Sequence, residues 1–211
     1  MPLYSMTVVD GAITNLGGGL KEIVSLAYKS TGPVLWGLSR NGGGAIYTIN
    51  IATGAATRVG AGGGISDIQN IFYAYDTDLL YGYSPLNGGT IYTINQSTGA
   101  PTVIFNRGVD GLGGCRLAAY IDAGVGIFYN GIAAVVDLLA TGELIQVAES
   151  ASDLVDYDYD VTSGAFYSLY PKILLRANAD ESTDVIATAG LGTMRAMTFT
   201  TNADGVLYFV G

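Results

Sequence analysis

The sequence predicts an all-β fold built from repeated four-stranded modules, and three observations lead to this prediction. Residues 43–54 read GGAIYTINIATG and residues 88–99 read GGTIYTINQSTG, so one motif occurs twice in nearly the same form. Short runs of alternating apolar and polar residues, bounded by Gly, Asn and Asp, indicate strands along the chain. No apolar stripe of helical period is accompanied by helix start and stop signals.

The repeat extends over the whole sequence. One aromatic residue in the second strand of each module recurs at intervals of about forty residues. These aromatic anchors are Trp36, Tyr81, Tyr129, Tyr167 and Tyr208. The last module ends the sequence with the run VLYFV, and the strand that should follow it, LYSMTVV, stands at the beginning. We therefore predict that the two ends of the chain pair in one sheet.

Antiparallel four-stranded modules of this length are typical of the blades of a β-propeller. A ring buries the apolar face of every module against a neighbour, whereas an open row exposes two such faces. The sequence thus predicts one domain over residues 1–211, a five-bladed β-propeller closed by the N- and C-terminal strands, with a β-sandwich or β-solenoid as the competing folds. The expected blades are 23–60, 68–105, 116–149, 154–189, and 195–211 together with 2–17.

The pattern Y-T-I-N-x-x-T-G-x-x-T, at residues 47–57 and 92–102, resembles β-propeller repeats in general. With its Gly-rich connectors, it is similar in layout to tachylectin-type five-bladed lectins. The resemblance implies shallow sugar sites between the blades, walled by connector backbone. The Trp that follows Gly-Gly in those lectins is replaced by Leu20 in one connector and Ile65 in another.

Composition limits the classes of partner and reaction. The net charge is −9, from 9 Lys and Arg against 18 Asp and Glu, which argues against binding to a nucleic-acid backbone. No apolar run approaches the ~20 residues of a membrane span, and no signal peptide is expected, because residues 3–9 already belong to a repeat. The sequence has no His, so triads that depend on His are excluded, and Cys115 is the only cysteine.

The run LVDYDYDV places three carboxylates on one face of a strand, because side chains alternate with a period of two. These carboxylates are Asp156, Asp158 and Asp160, and two neighbours could share a hard cation such as Ca²⁺. The alternatives are an acidic channel wall without metal, or a glycosidase site formed by acids from different blades. Asp76, Asp122 and Asp158 are the candidates for such a site.

Other residues are candidates for ligand contacts. Aromatic side chains near strand ends could stack on a sugar ring, and arginines near turns could bond an anionic or hydroxylated ligand. By this reasoning the candidate ligand-binding residues are Tyr75, Tyr83, Tyr170, Arg40 and Arg116.

These observations favour a non-catalytic recognition propeller within a larger particle, such as a virion capsid or tail component. Only 13% of the residues are charged, which suggests a surface covered by other subunits. Such a module would present one face to a host receptor or a cell-surface glycan, with no cofactor other than a possible Ca²⁺ and with no membrane insertion. The expected location is a virion or an extracellular surface, and the cytoplasm stays open. The alternatives are a free multivalent lectin and a glycoside hydrolase.

Overall fold

The structure is a computed structural model of the 211-residue chain. It describes residues 1–7, 12–20, 22–41, 43–61, 64–86, 89–106, 117–122, 125–129, 132–137, 144–149, 155–160, 163–170, 173–177, 183–187, 194–199 and 205–210. The regular elements within these residues are all strands. In the same part of the chain, no helix is long and apolar enough to cross a membrane.

The strands of the first half of the chain carry the motifs on which the repeat was recognised. They are β1 (Pro2–Thr7), β2 (Ile13–Gly18), β3 (Ile23–Lys29), β4 (Val34–Ser39), β5 (Ala45–Ile49), β6 (Ala56–Arg58), β7 (Asn70–Ala74), β8 (Leu79–Ser84), β9 (Thr90–Ile94) and β10 (Pro101–Asn106).

The strands of the second half follow the same order of short elements and turns. They are β11 (Leu117–Asp122), β12 (Val125–Tyr129), β13 (Ile132–Asp137), β14 (Leu144–Glu149), β15 (Asp156–Asp160), β16 (Ala165–Tyr170), β17 (Ile173–Ala177), β18 (Thr183–Ala187), β19 (Ala196–Phe199) and β20 (Val206–Val210).

The described strands form five four-stranded antiparallel sheets in a propeller arrangement. Four of the sheets use consecutive strands: β3 to β6, β7 to β10, β11 to β14 and β15 to β18. The remaining sheet has the order β19-β20-β1-β2, so it combines the two ends of the chain.

The predicted pairing of the chain ends is confirmed. Strand β1 lies antiparallel to β20, with Tyr4 opposite Phe209 and Ser5 opposite Tyr208. On its other side β1 pairs with β2, with a register shift between Leu3 and Tyr4. Because β1 is bonded on both sides, neither end of the chain presents a free strand edge there.

The first strand of each sheet packs against the first strands of two other sheets. Strand β3 contacts β7, β7 contacts β11, β11 contacts β15, β15 contacts β19, and β19 contacts β3 again. This cyclic order places these five strands around a common axis. They are called the inner strands below.

Large aromatic side chains fill the space between neighbouring sheets. The anchors Trp36, Tyr81, Tyr167 and Tyr208 are all buried. The Trp36 ring lies 5.5 Å from that of Tyr73 in the next sheet, and Tyr208 lies 5.6 Å from Tyr28. The side chain of Tyr129, the remaining anchor, lies outside the described residues.

Two of the second strands, β4 and β8, leave no room for a side chain directly after the anchor. A Cβ added to Gly82 would lie 2.8 Å from Cδ1 of Ile68 and 2.9 Å from Cδ1 of Ile94. Gly37 is equally constrained, by Ile49 and Ile23. Glycine therefore follows the aromatic anchor in these two sheets, because an isoleucine of the third strand meets over it with Ile23 of β3 or with Ile68, which lies just before β7.

We predict that Gly82→Ala destabilises the protein by about 1–3 kcal/mol, the usual cost of overpacking a core. Adding Ile68→Val removes the nearest methyl group, so the double mutant should be more stable than the sum of the two single changes by about 0.5 kcal/mol or more. Urea unfolding of the four proteins of this cycle measures the coupling. Gly18→Ala is the control, since its Cβ would meet no atom closer than 3.7 Å. Strict additivity would contradict the packing.

Deleting residues 1–11 should abolish the cooperative thermal transition or cause aggregation. The deletion removes β1, so β20 and β2 lose their common partner and present bare strand edges. Circular dichroism during heating and light scattering measure the two effects. A synthetic peptide of residues 1–11, added in trans, should restore part of the transition. A truncated protein as stable as the full chain would show that β1 is dispensable.

Candidate functional site

The inner strands enclose a small cavity along their common axis. The cavity has a volume of about 30 Å³, and its described lining comes from β3, β7, β15 and β19 and from Tyr75 beyond β7. Its polar side chains include Asn70, Asp156, Asp158 and Thr198, and none of the described lining residues is Lys or Arg. A space of this size holds one or two water molecules or a small ion.

Asp156 is the most deeply buried acid of the cavity, with 4% of its surface exposed. Its Oδ1 accepts a hydrogen bond from the backbone N–H of Tyr157 at 3.0 Å, and its Oδ2 accepts one from Met197 in β19 at 2.7 Å. The pKa of Asp156 is raised to about 8, chiefly by burial and in part by the nearby Asp158, against the lowering effect of the two N–H donors. The carboxyl group therefore joins two sheets at a large cost in desolvation.

Asp158, two residues further along β15, also connects this strand to β19. Its Oδ2 accepts a hydrogen bond from Oγ1 of Thr198 at 3.0 Å, and its Oδ1 accepts one from the N–H of Tyr159 at 2.8 Å. Asp156 and Asp158 thus lie on one face of the strand, as the alternation predicts, and that face is turned towards β19.

Asp160 is separated from the other two acids by its position at the end of β15. Its Oδ2 accepts a hydrogen bond from Oγ of Ser163 in the turn that follows, and its carbonyl accepts one from the N–H of Gly164. It does not line the cavity. Within the described ranges, no three His, Cys, Asp or Glu side chains are placed to hold a metal ion together. Asp160 therefore does not share the cavity with Asp156 and Asp158, and the sharing of a cation by two neighbouring acids stays a prediction.

A polar side chain occupies the same level of three inner strands. Ser25, Asn70 and Asp156 each stand two residues before the partner of an aromatic anchor. Oγ of Ser25 accepts a hydrogen bond from the N–H of Ile71 in the next sheet at 3.0 Å and donates one to its carbonyl at 3.3 Å. Asp156 bonds to Met197 in the corresponding way.

Asn70 differs from its two counterparts. It is 3% exposed, and its Oδ1 has no hydrogen-bond partner in the part of the chain that the structure describes. An unsatisfied buried carbonyl oxygen costs about 1–3 kcal/mol, so this atom calls for an explanation.

The residues expected to contact a ligand do not form one site. Arg40 is exposed in the turn after β4, and Tyr170 is half-buried at the end of β16. Both lie at the end of the sheets where the second strands finish. Tyr75 follows β7 and so lies at the opposite end, where it lines the cavity.

Tyr83 is 0% exposed, so the expectation that it stacks on a sugar is wrong for this conformation. Its position near a strand end suggested exposure, but its side chain packs in the cluster of Phe72, Tyr81 and Ile91. Arg116 lies outside the described residues.

Two of the Gly-rich connectors contain a glycine in close backbone contact with a neighbouring sheet. Gly60 has a φ of +61°, and a Cβ added to it would lie 2.1 Å from the carbonyl oxygen of Thr98 in the next sheet. Gly17 meets the carbonyl of Thr53 in the same manner, at 2.2 Å. Glycine is required at these two positions because backbone meets backbone, which leaves no pocket between the sheets there.

A polar network at one end of the sheets was not expected from the sequence. Asp78 has a φ of +56° in the turn between β7 and β8, and its Oδ1 is 2.5 Å from Nζ of Lys29 and 2.8 Å from the hydroxyl of Tyr73. Gln96 donates to the carbonyl of Asp78 at 2.6 Å. The hydrogen bond from Lys29, followed by those from Tyr73 and Gln96, lowers the pKa of Asp78 to about 2. No local motif signals such a network, because Lys29 and Asp78 come from different modules.

Comparisons with known proteins identify the fold but no family. No protein-family model matches the sequence, and a comparison with curated proteins finds no match. Many solved structures are similar in fold. A structure of a nidogen/laminin complex is 14% identical with a TM-score of 0.61, and the match covers 93% of this chain and 81% of that one.

Two further structures give the same result. A gluconolactonase from Xanthomonas campestris is 13% identical with a TM-score of 0.56, over 95% of this chain and 76% of that one. A protein of unknown function from Bacteroides thetaiotaomicron is 15% identical with a TM-score of 0.60, over 99% of this chain and 58% of that one. At these identities the similarity establishes a propeller-like fold and nothing about activity.

Asp78→Asn should lower the melting temperature slightly at neutral pH and have no effect in strong acid. The pKa of this carboxyl is lowered on folding, from 3.8 to about 2, so its ionised form stabilises the folded state above pH 3.8. That stabilisation is lost as the pH falls through about 2. Asn also tolerates the left-handed backbone of this turn, so the backbone should not change.

Melting curves of wild type and variant between pH 7 and pH 2 measure this difference. Asp67→Asn is the control, because Asp67 is an exposed acid in the loop before β7 and takes no part in the network. A difference between wild type and Asp78→Asn that is the same at all pH values would show that the charge of Asp78 is not responsible.

Proposed function

We propose that the protein is a non-catalytic recognition module, a closed propeller of five blades that belongs to a larger particle such as a virion capsid or tail. The observation that carries this proposal is the use of the channel carboxylates. Asp156 and Asp158 accept hydrogen bonds from Met197 and Thr198 of the neighbouring inner strand. Acids with this role hold sheets together and are poorly placed to protonate or attack a substrate.

The outer strands support a role in an assembly. Val103 in β10 is 54% exposed and Val185 in β18 is 58% exposed, and both strands are the outermost of their sheets. Exposed apolar side chains on a free strand edge favour association with other chains. Few charges oppose such contacts, since charged residues make up only 13% of the chain.

The end of the sheets that carries Arg40 and Tyr170 is the proposed recognition face. An exposed guanidinium and an accessible aromatic ring are suited to a receptor or a glycan with hydroxyl and acidic groups. A location on a virion or an extracellular surface follows from this proposal. A free lectin remains the alternative, although the contacts of Gly17 and Gly60 leave no inter-blade pocket at those two connectors.

A glycoside hydrolase receives less support. Asp76 is exposed after β7, Asp158 lies inside the channel, and the side chain of Asp122 is outside the described residues. Asp76 follows the end of its inner strand, whereas Asp158 lies in the middle of β15 with both oxygens hydrogen-bonded. This arrangement does not suggest two carboxyl groups on opposite sides of a glycosidic bond.

The assembly proposal predicts that the purified protein forms oligomers in a concentration-dependent way. Val103→Asp and Val185→Asp should shift it to the monomer without lowering its melting temperature, because both side chains are already exposed. Sedimentation velocity over a range of concentrations measures the mass. Thr102→Asp, at another exposed position of β10, is the control for added charge and should have a weaker effect. A strict wild-type monomer that binds sugars on a glycan array would favour the lectin and contradict the proposal.

A further inference from the structure

The turn between β9 and β10 has the same hydrogen bonds as the turn between β5 and β6. Residues 50–55 read NIATGA and residues 95–100 read NQSTGA. In the first copy, Oδ1 of Asn50 accepts hydrogen bonds from the backbone N–H groups two and three residues later, at 2.9 and 3.1 Å. In the second copy, Oδ1 of Asn95 accepts the corresponding bonds at 3.0 and 2.9 Å. The asparagine side chain therefore shapes the turn in both modules.

Only the second copy is an acceptor sequence for N-linked glycosylation. Asn95, Gln96 and Ser97 match the pattern Asn-x-Ser, with a residue other than Pro in the middle. In the first copy Ala52 stands where the hydroxyl group is needed. No other asparagine of the 211-residue sequence has Ser or Thr two positions later. The sequence therefore contains this acceptor pattern once, in a turn that has an unmodifiable duplicate in the same chain.

The acceptor group lies at the surface of the protein. Asn95 and Ser97 are both exposed. The two N–H groups of the turn need an acceptor, so the amide oxygen of Asn95 faces them and its nitrogen, Nδ2, points away from them. Within the part of the chain that the structure describes, no residue accepts a hydrogen bond from Nδ2. The nitrogen that would carry the sugar is thus the atom of this side chain that the fold leaves unused.

We propose that Asn95 is an N-glycosylation site, modified by transfer of an oligosaccharide from a lipid pyrophosphate donor. Nδ2 forms a bond to C1 of the first sugar and loses one proton, while the bond from C1 to the pyrophosphate oxygen breaks and the lipid pyrophosphate leaves with the electron pair. The product is still an amide with a carbonyl oxygen. Oδ1 therefore keeps both hydrogen bonds of the turn, and the fold needs no rearrangement to carry the glycan.

Asn95 lies at the end of the sheets opposite the proposed recognition face. Its neighbour Gln96 donates a hydrogen bond to the carbonyl of Asp78 in the turn after β7, whereas Arg40 and Tyr170 lie where the second strands finish. A glycan is bulky and hydrated, so it would keep other subunits away from the end that carries Asn95 and leave the recognition face accessible. This inference rests on the proposed location at a virion or extracellular surface, because such glycans are transferred to proteins that are exported.

The test expresses the full chain behind a cleavable signal peptide in a eukaryotic cell that glycosylates the proteins it secretes. Mass spectrometry of the intact secreted protein should show one N-linked glycan per chain. An amidase specific for N-linked glycans should remove it and convert the acceptor Asn into Asp, which peptide mass spectrometry should locate at Asn95. Sedimentation and glycan arrays test the recognition proposal separately, so a failure of either proposal is distinguishable from a failure of the other.

Variants in the two copies of the turn test the role of the hydroxyl group and of the turn. Ser97→Ala should abolish the modification and leave the turn folded, because the first copy has alanine at this position. Ser97→Thr should retain the modification. Thr98→Ala removes the neighbouring hydroxyl of the same turn, is the matched control and should keep the glycan. Ala52→Ser completes the acceptor pattern at Asn50 and should add a second glycan.

Circular dichroism verifies that each secreted variant is folded, and the gain of a glycan in Ala52→Ser keeps the test valid if Ser97→Ala is not secreted. The proposal is overturned if the secreted wild type carries no glycan, or if the glycan is located at a residue other than Asn95. It is equally overturned if Ser97→Ala is glycosylated as fully as the wild type. If Ala52→Ser gains no second glycan, the exposed turn is not what admits the transfer, and the structural basis of the proposal is wrong.

Discussion

The pairing of β1 with β20 is the interaction on which the rest of the structure depends. It combines the first and last strands of the chain in one sheet and so brings β19 against β3. Without it, the sheets at the two ends of the row would each expose an apolar face, and two strands would lose their partners. The contacts among the inner strands, the cavity between them and the network of side chains in that cavity all require this closure.

Side chains of the inner strands also supply hydrogen bonds that the sheets themselves cannot provide. Each of them has one edge without a strand partner, and the backbone groups on that edge still need hydrogen bonds. Ser25 and Asp156 supply them to Ile71 and Met197 of the next inner strand. The polar residues of the channel are therefore structural in the first instance. Their chemistry towards a ligand is limited to what remains after these bonds are made.

The strands could be predicted from the sequence because their signals are local. The runs at 34–39 and 79–84 coincide with β4 and β8, and the pairing of the chain ends follows from a repeat that is split between them. The face shared by Asp156 and Asp158 also follows from alternation, since a period of two is a local property.

What the sequence could not provide depends on contacts between modules. Burial of Tyr83 is decided by the side chains that surround it in the sheet, not by its place near a strand end. The approach of Lys29 to Asp78 and the position of Asn70 relative to β15 depend on how one sheet stacks on the next. No repeat or spacing encodes those distances, and none encodes the bond between Asp160 and Ser163 that separates Asp160 from the other two acids of β15.

A disulfide between β1 and β20 tests the closure most directly. Thr7 stands opposite Val206, and paired residues in antiparallel strands lie about 4.5–5.5 Å apart, within the reach of a disulfide. We predict that Thr7→Cys with Val206→Cys, in a Cys115→Ser background, oxidises within one chain and raises the midpoint of urea unfolding. The pair Thr7→Cys with Leu79→Cys, in different sheets, should not form an intramolecular bond. If the first pair fails to cross-link under oxidation, or if it cross-links no better than the second, the two ends of the chain do not share a sheet.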